Sequence, residues 1–166
     1  MRRNKEIPLT QSQVALVDAE DFKWLSKAKW YAQWAPCTQS FYAHRKGSQH
    51  QQLRMHNVIW IHHNGLIPEG FTVDHADRDT LNDRLSNLRL ATRSQQKQNQ
   101  RMYGNNTSGY RGVHLRKDHQ AWVAYIGVNR ERLHLGTFTD PIEAARAYDA
   151  AAMLHFGAEF AQLNFP

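Results

Sequence analysis

Residues 71–99 read FTVDHADRDTLNDRLSNLRLATRSQQKQN. A β-type run, Phe71-Thr72-Val73, delivers Asp74 and His75 side by side, and a polar loop with Asp77, Asp79, Asn82 and Asp83 follows. A second β-type run, Leu88-Arg89-Leu90, comes directly after Asn87. Thr92 with Gln95 three residues later has capping-box spacing, so a helix is expected there with Gln96 and Asn99 on one face. The stretch is expected to form one compact β–loop–β–helix unit that gathers a carboxylate, an imidazole and several amides. Carboxylate and amide oxygens suit a hard divalent cation such as magnesium. An imidazole free of the metal could act as a general base on water.

Upstream, Arg54–Asn64 has helical spacing through Met55, Val58, Ile59 and His62, and Gly65 marks its end. Leu66–Gly70 is a turn that feeds the Asp74-His75 strand. His62-His63, beside His56 on this helix, reads as polar helix surface rather than as a metal site. Residues 1–50 read as a β-rich lead with apolar runs at Ile7–Thr10 and Val14–Val17, and a short helix over Asp18–Lys29. Trp30–Trp34 and Phe41–His44 are expected to be the arms of a hairpin, their aromatics serving the core.

Composition narrows the partner. The 166 residues carry a net charge of +6, with a sequence pI of about 9.7, which favours a polyanion. The single cysteine, Cys37, allows neither an intramolecular disulfide nor a Cys-rich structural zinc site. No apolar run is long enough to span a membrane, and no apolar core follows the basic N-terminus as in a signal peptide. The cytoplasm is the expected compartment.

Downstream, residues 95–107 are mostly Gln, Asn and Arg, and 103–107 read as a linker. Three strands are expected at Tyr110–Arg116, Ala121–Gly127 and Glu131–Phe138. Asp140-Pro141-Ile142-Glu143 then opens a helix running to about Phe156, with an Ala-rich face that can lie close on a sheet. Strand parity places Trp122, Ala124, Ile126, Leu133 and Leu135 against that helix. Val123, Tyr125, Arg132 and His134 point outward, joined by His114 and Arg116, with Arg111 at the start of the first strand. That outward set carries three Arg and almost no acid, so it is the candidate DNA face.

Two resemblances sharpen these expectations. Val73-Asp74-His75, Asn87-Leu88-Arg89 and the polar helix after Ala91-Thr92 resemble the HNH endonucleases. The resemblance implies that His75 activates water, Asp74 ligates the metal, and Asn87 braces the loop and orients the His. It also implies one Mg²⁺ or Mn²⁺ per active site and no structural zinc. The family's third motif residue, a His or Asn, is replaced by Gln96, and Asn99 one turn later is a second candidate ligand. His56 would be structural. Residues 108–166 resemble the plant ethylene-response-factor (apetala-two) DNA-binding domain through Tyr110-Arg111-Gly112-Val113, Leu135-Gly136-Thr137-Phe138, Glu143–Asp149 and Leu163-Asn164-Phe165-Pro166. That family lays its sheet in the major groove of DNA, often with Arg where His114 stands and Trp where His134 stands. The two resemblances occur together in homing endonucleases of the phage type.

The expectation is an α+β protein: a β-rich segment at 1–50, a ββα-metal nuclease core at 51–102, a linker at 103–107 and a DNA reader at 108–166. Its function would be metal-dependent cleavage of double-stranded DNA at a specific site, with no obligate protein partner evident, in a host cytoplasm if phage-encoded. The alternative is an impaired nuclease that keeps both DNA surfaces and acts as a regulator. RNA or protein binding through the aromatic N-terminal segment is a third reading.

Overall fold

The computed structural model describes residues 4–99, 102, 106–116 and 121–166. The chain forms two compact units, Met1–Thr92 and Arg93–Pro166. Of the expected linker, residues 103–105 lie outside the described residues.

The first unit opens with an antiparallel pair, β1 (Asn4–Pro8) and β2 (Val14–Asp18). Helix α1 (Ala19–Leu25) follows, then strands β3 (Tyr31–Ala35), β4 (Ser40–Lys46) and β5 (Gln52–Arg54) in an antiparallel sheet of that order. Helix α2 (Met55–Asn64) leads to the hairpin of β6 (Phe71–His75) and β7 (Leu88–Thr92). One core joins these elements: Ile7, Val17, Leu25, Trp30, Met55, Ile59, Val73 and Leu88 all belong to it. The N-terminal lead and the Asp74-His75 hairpin are thus parts of the same packed body.

Three local details have physical causes. Helix α1 stops at Leu25, short of Lys29, because the Trp30 indole N–H donates to the Leu25 carbonyl (2.9 Å) and the Ser26 hydroxyl to the Phe22 carbonyl (2.6 Å). Helix α2 ends where expected: Gly65 takes φ 82° and its N–H donates to Ile61, a left-handed stop that favours glycine. In the β3–β4 hairpin Trp30 enters the core, whereas Trp34 is exposed and packs edge-on against Phe41.

A clasp fixes the polar loop after His75. The Leu16 N–H donates to the Leu81 carbonyl and the Asp83 N–H to the Leu16 carbonyl, both at 2.8 Å. The Leu85 N–H donates to Asp18 Oδ2 (2.9 Å), and the Thr80 hydroxyl to the Phe41 carbonyl (2.6 Å). Strands β2 and β4 therefore hold a loop whose helical content is the 3₁₀ turn Leu85–Asn87.

The second unit contains α3 (Arg93–Asn99), an antiparallel sheet of β8 (Val113–Arg116), β9 (Ala121–Val128) and β10 (Glu131–Phe138), and α4 (Pro141–Phe160). The Asp140 carboxylate accepts from the Ile142 N–H (3.0 Å), capping α4 as its sequence predicts. Gly157, at φ 68°, interrupts the helix just past Phe156. Ala144 and Ala145 meet Val113 and Ala124 in the core. Gly112 is required where it stands. Its φ is 74°, and a Cβ there would meet the Tyr148 ring and lie 2.6 Å from the Tyr125 carbonyl oxygen. Strand β8 begins only at Val113 because the Asn106 and Ser108 side chains both donate to the Tyr110 carbonyl. The terminal segment is clipped on: Asp149 accepts from the Asn164 and Phe165 N–H groups, and Asn164 Oδ1 from the Arg111 N–H (2.7 Å). Among the described residues no helix is long and apolar enough to cross a membrane.

Candidate active site and nucleic-acid interface

Register in the β6–β7 hairpin sets the candidate site. His75 pairs with Leu88 and Asp74 with Arg89, so successive side chains go to opposite faces. Val73 and His75 point into the core, and His75 keeps only 4% exposure. Asp74 is half-buried on the other face, its Oδ2 3.3 Å from the Arg89 guanidinium.

The buried imidazole has a carboxylate partner. His75 Nε2 lies 2.9 Å from Asp83 Oδ1. A carboxylate accepts only, so this bond places the ring proton on Nε2 and the lone pair on Nδ1. Asp83 is fully buried, and its Oδ2 has no hydrogen-bond partner. Burial pushes the Asp83 carboxyl up from its ordinary range, opposed by the bond from His75. His56 completes the cluster, with Nδ1 3.9 Å from the same Asp83 oxygen and its ring edge-on to His75 at 4.9 Å. Burial holds His56 well below the usual histidine range, helped by the neighbouring His75 and Arg54, so it is neutral at physiological pH. The Tyr42 ring packs against both imidazoles. His56 is therefore core, not polar helix surface.

Asn87 braces the loop. Its amide donates to Asp77 Oδ1 (2.9 Å) and the Asn82 carbonyl (2.8 Å), and its Oδ1 accepts from the Asp77 N–H (3.1 Å). Burial raises the Asp77 carboxyl, but hydrogen bonds from the Asp79 N–H, Asn82 and Asn87 outweigh it and hold the group below its ordinary value. The loop thus reaches Asp83 with little freedom.

The catalytic and metal-ligand candidates read from sequence divide between the two units. Asp74, His75 and Asn87 come together in the first unit. Gln96 and Asn99 lie on α3 in the second. Gln96 is half-buried, whereas Asn99 is buried with Oδ1 3.5 Å from Gln162 Nε2. Between them Gln98 is buried, accepting from the Tyr148 hydroxyl (2.7 Å) and donating to the Gly127 carbonyl (3.4 Å). Two groups of side chains could hold an ion among the described residues: the buried His56, His75 and Asp83, and the set Asp21, His62 and His63. Asp83 and Asp21 went unremarked as site residues in the sequence, because only the tertiary fold brings them to their histidines.

On the second unit's sheet the outward set is contiguous. The Arg132 guanidinium lies over the Tyr125 ring at 3.9 Å, and His134 and His114 flank that ring at 5.2 and 6.3 Å. His134 keeps this position although a β-bulge follows it, between His134 and Gly136. Burial, then the neighbouring Arg132, lowers the His114 pKa. Arg116 pairs with Ala121 and is exposed at the end of β8. Arg111 reaches elsewhere, donating from its guanidinium to the Gln98 carbonyl (3.4 Å). Val123 was expected outward, yet it is buried at 3% exposure, so the larger outward side chains cover it.

Comparison with known proteins gives matches to both units. Residues 54–98 match the family described as HNH endonuclease. The chain is 41% identical over 69 residues to Protein 3.8 of Escherichia phage T7, covering 42% of this chain and 57% of that protein. It is 49% identical over 59 residues to an ethylene-responsive transcription factor of Arabidopsis thaliana, covering 34% of this chain and 32% of the relative. It is 30% identical over 151 residues to a protein of Acanthamoeba polyphaga mimivirus described as an uncharacterized HNH endonuclease, covering 90% of this chain and 74% of that one. The chain spans about half the length of the phage relative and a third of the plant one.

Proposed function

Because this chain belongs to the HNH endonuclease family, we propose that it is a metal-dependent endonuclease that hydrolyses a phosphodiester of double-stranded DNA at a site chosen by its second unit. The observation that carries this reading is the buried His75–Asp83 pair one residue from Asp74. With Nε2–H given to Asp83, the basic atom is Nδ1, and that atom takes the proton from the attacking water. Asn87 holds the loop that delivers Asp83, and His56 and Tyr42 pack the ring in place. The donor chemistry fits a hard divalent cation. Asp74 is a half-buried carboxylate, and a carboxylate with amide oxygens, for which Gln96 and Asn99 are the candidates, is the set such an ion takes. When bound, Mg²⁺ or Mn²⁺ supplies charge stabilisation at the phosphate and the leaving oxygen.

The outward sheet face of Tyr125, Arg132, His134, His114 and Arg116, with Arg111 near it in sequence, supports DNA reading in a homing-type role. Phosphate contacts from Lys and Arg give most of the affinity, and the aromatic–Arg cluster gives preference. The compartment of action is a host cytoplasm. A second reading, a DNA-binding regulator with impaired cleavage, is favoured by Gln96 and by the Asp74–Arg89 ion pair. Incubation of supercoiled plasmid with Mg²⁺ or Mn²⁺ separates the two. Nicking or cutting is expected, and His75→Ala should lose roughly 10²–10⁴-fold in rate while binding DNA like the wild type. Binding without cleavage in either metal would leave the regulator; equal cleavage by His75→Ala would remove His75 as the base.

A further inference from the structure

His62 and His63 sit on the exposed end of α2, and the fold brings Asp21 of α1 against them. His63 Nε2 lies 2.8 Å from Asp21 Oδ1, and the Trp24 indole N–H donates to the same oxygen at 3.0 Å. Asp21 is only 1% exposed, and its Oδ2 is buried with no hydrogen-bond partner. The two imidazoles reach solvent. The His62 ring stacks on Trp24 with centroids 4.6 Å apart, and stands perpendicular to His63 at 5.0 Å.

A hydrogen bond between Asp21 and His63 accounts for one carboxylate oxygen and leaves the other unsatisfied. A buried acceptor with no partner is costly. One ligand atom from each of Asp21, His62 and His63 falls within 4.8 Å of the others. Ligand atoms that each lie roughly 2.0–2.2 Å from one zinc-class ion stand a few ångströms apart, so this spacing is of the right order, and both rings are exposed. Two imidazoles and a carboxylate are borderline donors, suited to such an ion rather than to magnesium, and three protein ligands leave a position for water. The Trp24 N–H is the outer bond that orients the carboxylate.

We propose that Asp21, His62 and His63 form a binding site for a divalent transition cation of the zinc class, separate from the Asp74-His75 pair. The ion would tie α1 to α2 across the surface of the first unit. This assignment does not depend on the nuclease reading.

The test is calorimetric titration of the full chain with Zn²⁺, with Co²⁺ absorption as a second readout. Wild type, His75→Ala, His62→Ala and Asp21→Asn are compared, each checked for folding by circular dichroism. Asp21→Asn keeps the side-chain shape, and His62 is exposed, so both variants should fold. One zinc site is expected in wild type and retained in His75→Ala. His62→Ala and Asp21→Asn should weaken it by at least the roughly 10–100-fold that loss of an outer ligand partner costs. Zn²⁺ should raise the melting temperature of wild type and His75→Ala but not of Asp21→Asn. No zinc binding by wild type, or binding unchanged in His62→Ala and Asp21→Asn, would overturn the assignment.

Discussion

In the proposed mechanism Asp83 sets which nitrogen of His75 serves as the base, through a bond of 2.9 Å inside the core. Asp83→Asn should keep the volume but lose the carboxylate's exclusive acceptance, since an amide can also present its N–H₂ group. Cleavage should fall, though by less than the roughly 10²–10⁴-fold cost of removing the base, with DNA affinity unchanged. Single-turnover cleavage beside a binding titration checks this; unchanged cleavage would show that the pair is only structural. Gln96 makes the complementary case. Its amide oxygen sits one methylene further out than that of the Asn the family uses, and magnesium demands near-octahedral geometry at about 2.0–2.1 Å. Gln96→Asn should therefore raise cleavage, most at low Mg²⁺, and Gln96→Ala should do no better than wild type. Rate against metal concentration for the three proteins is the measurement; no gain from Asn and no loss from Ala would move the test to Asn99. At this scale the sequence placed the candidates Asp74, His75 and Asn87 on one hairpin, and the β6–β7 pairing puts them there. It did not reveal Asp83 or His56 as partners of the imidazole, because their proximity arises from β2 and α2 packing around the hairpin.

Among the elements, sequence patterning located β6, β7, β9, β10 and the capped start of α4, where periodicity and cap residues agree. It passed over β5, whose Gln52-Leu53-Arg54 has no apolar alternation and exists because β4 offers an edge. It overran α1 and β8, since side-chain donors at Ser26, Trp30, Asn106 and Ser108 occupy the backbone carbonyls there. Gly112 is the element-scale position most sensitive to change. Gly112→Ala adds a left-handed strain to a clash with Tyr148 and with the Tyr125 backbone, so a loss of roughly 2 kcal/mol or more is expected. Gly109→Ala, at φ 74° but with nothing within 4 Å, isolates the strain alone and should cost less. Denaturant melts of both variants, with DNA affinity alongside, check the order; equal losses would mean that the Tyr148 ring yields freely.

For the molecule as a whole, alkaline pH offers a probe of the second unit. Burial raises the Tyr148 pKa from 10.0 to about 12, with Asp149 adding to it and Arg111 opposing. The fold therefore favours the neutral phenol, whose hydroxyl donates to Gln98. That stability is present below pH 10 and is lost as pH rises from 10 towards 12. Melting across this window should show an alkaline loss in wild type that is smaller in Tyr148→Phe, which starts lower at neutral pH by about 1 kcal/mol for the missing hydrogen bond. Parallel pH profiles would dissociate the phenol from alkaline unfolding. The hairpin with the HNH-type pattern and the three-stranded sheet packed on one helix were legible in the sequence, but the common core of the lead and the hairpin was not, since a short β-rich run does not announce which loop it will hold. That clasp has a consequence for biosynthesis. Leu16 leaves the ribosome well before residues 81–83, an interval on the order of seconds at ordinary elongation rates. Through that interval β2 has no loop to hold, and His75 emerges before the carboxylate that directs its proton. A half-made chain carries an undirected imidazole, and the buried pairing of His75 is completed only when Asp83 arrives at a strand that has been waiting for it.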